Sequence, residues 1–244
     1  MINKLGFKYP ENNFKRQFDS GNISRACFRL EQCFPQYIWN DSVNDGKAYT
    51  YPQVRTILDG ATEGGSRLSD EGDILNQRRS LQALIKMVRQ GEFELNKQAF
   101  CGLHELAAKE EALSWGVFRM GSVGIAGAKT KPPNADRLND IFREGVNYIK
   151  SIKNPVEQAV VFFLFGAFNQ FFYDVNKRTS RLMMNGVLLS NGCDALIIPA
   201  KHRQKYNTVM LELYNTKNAS LAVKFLLECY HVQHMNTNIE TGCD

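Results

Sequence analysis

The stretch from Ala159 to Phe168 is apolar without interruption and follows Asn154-Pro155. Asn before Pro at the first helical position is a strong helix start. Val160, Phe162, Phe163, Leu164 and Phe165 then cover the helix nearly all round. A helix with no polar face must be surrounded by other elements, so this one is expected at the centre of the fold. A membrane span needs about 20 residues, so the run is read as a core helix and no membrane association is expected.

The rest of the chain supplies helices to surround it. Asn22 caps a predicted helix over Ile23 to Phe34, flanked by turn-rich patches at Pro10–Asn13 and Asn40–Gly46. A short helical stretch begins near Pro52 and breaks at Gly60, Gly64 and Gly65. From Ser69, the residues Ile74, Leu81, Leu84, Ile85 and Val88 recur at helical spacing until Gly91. A further helix is predicted from Asn96 to Ala112, and another from the Pro132-Pro133 loop through Ile149. Later ones are placed near 177–191, 201–215 and 219–235. Only Gly116 to Gly127 changes period; its glycines and partial alternation predict a short β-hairpin.

The bulk properties exclude several classes. Hydrophobic residues at 43% and charged residues at 23% describe an ordinary globular chain. A net charge of +5 without a basic tract gives no reason to expect a nucleic-acid partner. The six cysteines (Cys27, Cys33, Cys101, Cys193, Cys229 and Cys243) form no CxxC pair, so zinc-ligand spacing is absent. Free thiols in apolar surroundings suit a reducing compartment, and Met1-Ile2-Asn3-Lys4 opens no apolar signal region. A cytoplasmic, bacterial-type protein is expected.

The chemistry concentrates in Gln170-Phe171-Phe172-Tyr173-Asp174-Val175-Asn176-Lys177-Arg178-Thr179-Ser180-Arg181. This stretch joins the central helix to the next one. Asp174 or Asn176 can cap that next helix, whose start offers unpaired N–H groups and partial positive charge. Lys177, Arg178 and Arg181 surround the same end, the two arginines on one face. Such a set suits a polyphosphate, and Asp174 suits a phosphate-bridging Mg²⁺. A basic start to an ordinary surface helix is the competing reading.

The stretch resembles the Fic family signature, His-Pro-Phe-x-Asp/Glu-Gly-Asn-Gly/Lys-Arg-x-x-Arg. It matches at Phe172, Asp174, Asn176, Lys177, Arg178 and Arg181. Gly116 to Ala126 followed by Pro132-Pro133 is similar to the family's hairpin flap and proline loop. Arg203 and Tyr206 also fit its layout. The resemblance covers roughly residues 55 to 235. It implies an all-α Fic fold with a small β-hairpin flap. The implied organisation is an N-terminal extension over 1–50, a helical segment over 51–92, the Fic core over 93–236 and a tail over 237–244. It further implies an ATP site: Asp174 on Mg²⁺, Asn176 with the loop backbone at the α-phosphate, Arg178 on phosphate oxygens, Arg181 on the γ-phosphate, and Lys177 among the nucleotide-binding residues. Val123, Gly124 and Ile125 of the flap would dock a target protein as an added strand, for AMP transfer to a Ser, Thr or Tyr hydroxyl. Family members often pair, which leaves room for a homodimer.

Gln170 departs from that pattern at the decisive position. The family's histidine deprotonates the target hydroxyl, and an amide does not accept a proton near neutral pH. Loss of a general base costs about 10²–10⁴ in rate. His104 and His202 lie far along the chain, and a structural role is expected for each. Phe171 replaces the family's proline and Val175 its glycine, so a stiffer or shifted loop is expected. The family's inhibitory motif, Ser/Thr-x-x-x-Glu-Gly/Asn, is similar to Asp59-Gly60-Ala61-Thr62-Glu63-Gly64, which points to a Glu63–Arg181 pair. Three functions remain open: an impaired adenylyltransferase, a nucleotide-binding pseudoenzyme that recognises a partner, and a Doc-like phosphotransferase.

Overall fold

The computed structural model describes residues 4–14, 21–60 and 68–240, leaving aside the side chains at 12, 13, 68–70 and 234–240. Ten α-helices run through these residues: α1 (Ile23–Gln32), α2 (Phe34–Asn44), α3 (Tyr51–Leu58), α4 (Leu68–Arg89), α5 (Lys97–Ala107), α6 (Leu138–Ser151), α7 (Pro155–Asn169), α8 (Asn176–Ser190), α9 (Arg203–Thr216) and α10 (Ser220–Glu240). Their starts follow local chemistry. Asn22 Oδ1 accepts from Arg25 N, Asn96 Oδ1 from Ala99 N, and Asn154 Oδ1 from both Val156 N and Glu157 N. Thr50 and Gln53 form a reciprocal capping box at α3.

The central helix lies where its sequence requires. Every residue of α7 from Ala159 to Ala167 is buried. It packs along α8, while α8 also meets α4 and α5, and α6 covers another side of α7. Phe100 of α5, Phe142 of α6 and Phe162 and Phe165 of α7 join Phe118, Phe171 and Phe172 in one aromatic cluster. Offset and edge-on ring pairs of this kind add to simple burial. No described helix is long and apolar enough to cross a membrane.

Three expectations change. Asn40 to Asn44 is not a turn but the last part of α2. Its turn-forming side chains reach across the fold instead of bonding locally: Asn40 Oδ1 accepts from Ala200 N and Asn44 Nδ2 donates to Ile198 O. The chain turns only at Gly46, at φ +95°. Second, α5 stops at Ala107 rather than Ala112, and Glu110 sits at φ +62° just beyond. Third, no strand forms among the described residues, so Gly116 to Gly127 is an irregular loop and not a hairpin. Its polar groups bond elsewhere: Arg119 N donates to Phe171 O, and the Arg119 guanidinium takes Gly121 O. Exposure still alternates from Gly121 to Ala126, as in an extended segment.

The α7–α8 contact depends on Gly166, where an added Cβ would run into Ser180 Oγ on α8. Ser180 cannot turn away freely, because that hydroxyl donates to Asn176 O at 2.7 Å. Gly→Ala inside a helix ordinarily gains about 1 kcal/mol. Here Gly166→Ala is expected to lose about 1–3 kcal/mol through overpacking, read from the urea unfolding midpoint.

Candidate functional site

The loop joining α7 to α8 turns back on itself at two left-handed residues, Gln170 at φ +50° and Val175 at φ +57°. A β-branched residue at positive φ is strained and persists only where its surroundings over-determine it. Several contacts do so. Asn176 accepts from Phe172 N and donates to Phe172 O, each at 2.8 Å, and donates also to Gln170 Oε1 at 3.1 Å. Phe171, where the resemblance has proline, is fully buried and lies within 5.3 Å of both Phe142 and Phe165, centroid to centroid. The entry to the loop is therefore set by a ring in the core. Neither Asp174 nor Asn176 caps α8: Val175 holds the cap position, and Asp174 Oδ1 accepts only from Val175 N.

Two residues that the sequence reading did not place in the site hold this loop from outside. Arg119 is buried, and its three guanidinium nitrogens donate to Gln170 O, Gly121 O and Pro133 O at 2.6–2.7 Å. It thereby joins the loop to the two segments that carry the flap and the proline turn. His104 stacks on Phe172 at 3.6 Å. Its Nδ1 accepts from Gly116 N, which leaves the ring proton on Nε2 to donate to Asp174 O. Both nitrogens are committed, so His104 is a support and not a base.

Gln170 has no capacity to replace a base either. Its Nε2 donates to Ala167 O at 2.6 Å and its Oε1 accepts from Asn176. The side chain is folded into its own loop.

Arg178 and Arg181 share a face of α8, as their spacing requires, but both are buried (3% and 1% exposed) and fully engaged. Arg178 makes a two-point pair with Glu111, at 2.7 and 3.3 Å, and meets Asp45 Oδ2 at 3.2 Å. Arg181 meets Asp41 at 2.8 Å, Asp45 Oδ1 at 3.0 Å and the Tyr206 hydroxyl at 3.1 Å. Asp45 bridges the two guanidiniums. Burial works to raise the pKa of Asp45, but Arg181 and Arg178 outweigh it and hold the group below the usual carboxylate range. Asp41 pairs with Arg181, yet burial, aided by the nearby Asp45 charge, pushes its pKa up.

Asp45 and Gly46 also supply the carboxylate-glycine end of the inhibitory pattern, with Asp41 four residues earlier. Aspartate in place of glutamate is why the sequence reading passed over them. Glu63 lies outside the described residues; among the described residues the acids that reach Arg181 are Asp41 of α2 and Asp45 at its C-terminal cap.

Beside the arginines is a cavity of about 250 Å³, lined by Asp45, Glu111, Gln170, Asp174, Lys177 and others. Ligand cavities usually span roughly 300–1,000 Å³. As arranged, the set does not fit a polyphosphate, because the donors that would receive it already face carboxylates. The exposed Asp174 keeps one carboxylate oxygen free of donors among the described residues, and Lys177 projects over the Tyr206 ring at 5.7 Å. No group of three or more metal-ligating side chains occurs among the described residues, so a cation here would need oxygens from its ligand. Gly121 abuts the Tyr173 hydroxyl, which brings the flap segment against the loop. Farther along that segment, Val123 and Ile125 are half-buried and Gly124 is exposed.

His104 carries a measurable consequence. Burial pushes its pKa down to about 4, from an ordinary 6.5. The unfolded chain thus binds the extra proton first, between those two values. The stabilisation is complete above pH 6.5 and is lost as pH falls toward 4, by about 3 kcal/mol in all. In His104→Phe this part of the pH slope should vanish, measured by urea unfolding at several pH values across that window.

Comparisons with known proteins agree with this architecture. The Fic/DOC family model matches residues 94–188. The protein adenylyltransferase Fic of Drosophila willistoni is 27% identical over 205 residues, covering 82% of this chain and 40% of that protein. Its counterpart in Aedes aegypti is 24% identical over 206 residues, again covering 82% of this chain and 40% of the relative. The chain thus spans about two fifths of the length of these curated relatives. Among solved structures, a fragment of Fic-1 from C. elegans superposes with a TM-score of 0.75 at 17% identity, covering 95% of this chain and 70% of that one. A Fic-domain-containing signalling protein from Bacteroides thetaiotaomicron gives 0.68 at 18% identity, covering 91% and 87%. The match to the Fic/DOC family model thus lies over residues 94–188, and the chain shares the fold of these Fic structures.

Proposed function

We propose that this protein is a guarded, base-deficient Fic module: it takes up ATP with Mg²⁺ when α2 gives up the arginines, and it acts by recognising a partner protein more than by transferring AMP. The observation that carries this reading is the pairing of Arg178 and Arg181 with Asp45 and Glu111. A buried arginine without a counter-anion costs several kcal/mol, so these carboxylates stand where a ligand's phosphates would provide the same charge. Exchanging one anion for another keeps the arginines paired. The main cost of opening is then the displacement of α2 and of the Glu111 turn.

Once open, the loop offers the backbone N–H groups at the start of α8, together with Lys177, to phosphate oxygens, and the free oxygen of Asp174 to a cation. ATP with Mg²⁺ would supply an activated phosphoryl centre there. The residues of this chain can bind and orient it, but neither the amide at position 170 nor His104 can take a proton from an incoming hydroxyl. Gln170 is an amide already bonded within the loop, and His104 has no free nitrogen. The relatives' adenylyltransferase name supports AMP transfer as the ancestral chemistry. The side chains support its impairment here.

Calorimetry with ATP and Mg²⁺ tests the guard. Asp45→Asn keeps the shape but removes the charge, and it is expected to tighten binding by roughly tenfold or more, about 1.4 kcal/mol. Arg178→Lys, which keeps the charge but loses the two-point fork, should weaken binding in the same background. Equal affinity in wild type and Asp45→Asn would remove the guard from the account. Installing the base by Gln170→His in the Asp45→Asn background should raise transfer of the α-label to protein by about 10²-fold or more. Transfer of the γ-label instead would mark the Doc-like reaction.

A further inference from the structure

A second cavity, of about 600 Å³, lies between α2, α10 and the turn that starts α9. That volume falls within the usual range for small-molecule sites. Trp39 of α2, His202 and Phe225 give it aromatic walls, with Val232 and Cys229 beside them. Its polar groups are unequally committed. Asn40 is spent on Ala200 N and Gln36 O, and Lys205 pairs with Glu228. Lys201 and His202 are exposed, and their side chains make no hydrogen bond or ion pair among the described residues. Two lysines, Lys201 and Lys205, thus stand against one carboxylate, Glu228, at the opening; that charge balance favours an anion, and the ring walls favour a flat guest.

The placement of this cavity on α2 gives it a consequence. At roughly 100° per residue, Gln36, Trp39 and Asn40 face about opposite to Asp41 and Asp45. One face of α2 therefore lines the cavity while the other holds the arginines. The far wall leads to the same place, because Phe225 stacks on Tyr206, whose hydroxyl holds Arg181. A guest lying between Trp39 and Phe225 would fasten α2 to α9 and α10 with Asp45 in place.

We propose that this cavity binds a small aromatic anion, and that its occupancy keeps α2 docked on Arg181. The second half rests on the reading of α2 as a guard, and its test uses no nucleotide, so the two can fail separately. The chain has two tryptophans, and Trp115→Phe leaves Trp39, in the cavity wall, as the only one. Titration of that variant with anilinonaphthalene sulfonate should show saturable energy transfer from Trp39, with one probe per chain. Adding the exposed substitutions Lys201→Glu and His202→Glu should weaken it roughly tenfold or more with the helical spectrum unchanged. Absence of saturable transfer, or binding that these two substitutions leave untouched, overturns the site.

Coupling is read by hydrogen exchange at Asp45, Gly46 and Lys47, whose amides bond to Asp41 O, Val43 O and Ser42 O and do not line the cavity. Saturating probe should slow their exchange by about threefold or more if it holds α2 in place. Unchanged rates with the probe bound overturn the proposed hold on α2.

Discussion

Four parts of the chain meet at two guanidinium groups. Asp41 and Asp45 come from α2, Glu111 and the carbonyl of Ala107 from the end of α5, Tyr206 from α9, and the arginines themselves from α8. Breaking a buried pair by removing one partner costs about 3–5 kcal/mol. The arginines thus demand acidic partners, and the positions of α2 and the Glu111 turn answer that demand. Lys47, just beyond α2, extends the arrangement to Asp73 of α4 and approaches Glu111. The segments that would be dismissed as an N-terminal extension are in this way part of the site.

Much of the fold was legible because helices announce themselves locally. Asn22, Asn96 and Asn154 stand at helix starts, and the apolar run after Pro155 could only be interior. The signature residues were legible as a basic helix start. The partners of those residues were not. Asp41 and Asp45 sit among asparagine, serine and glycine, which read as turn formers, and their helical state depends on Asn40 and Asn44 bonding to a segment more than 150 residues away. The flap misled for a similar reason. Its alternation is real, but a ladder needs a partner, and at Arg119 the backbone N–H goes to Phe171 O while the guanidinium takes Gly121 O. His104 was legible as structural but not as a support of the loop, because stacking on Phe172 leaves no mark in spacing.

The loss of the base and the retention of the loop are separable in physical terms. A general base needs a lone pair of suitable basicity at one point. The loop's shape rests on a set of hydrogen bonds to which position 170 contributes through its backbone as well as its side chain: its carbonyl binds Arg119 and its N–H binds Gly166 O. An amide in place of an imidazole leaves those bonds intact.

Val175 makes the same point from the opposite direction. Glycine would reach its left-handed conformation without strain, whereas a strained backbone position costs of order 1–3 kcal/mol. That cost is met by buried contacts of the valine side chain and by the bonds that flank it, from Thr179 Oγ1 to Val175 O and from Val175 N to Asp174 Oδ1. The surrounding bonds keep the first turn of α8, Asn176 to Arg178, at the cavity wall, where the unpaired N–H groups of a helix start carry partial positive charge.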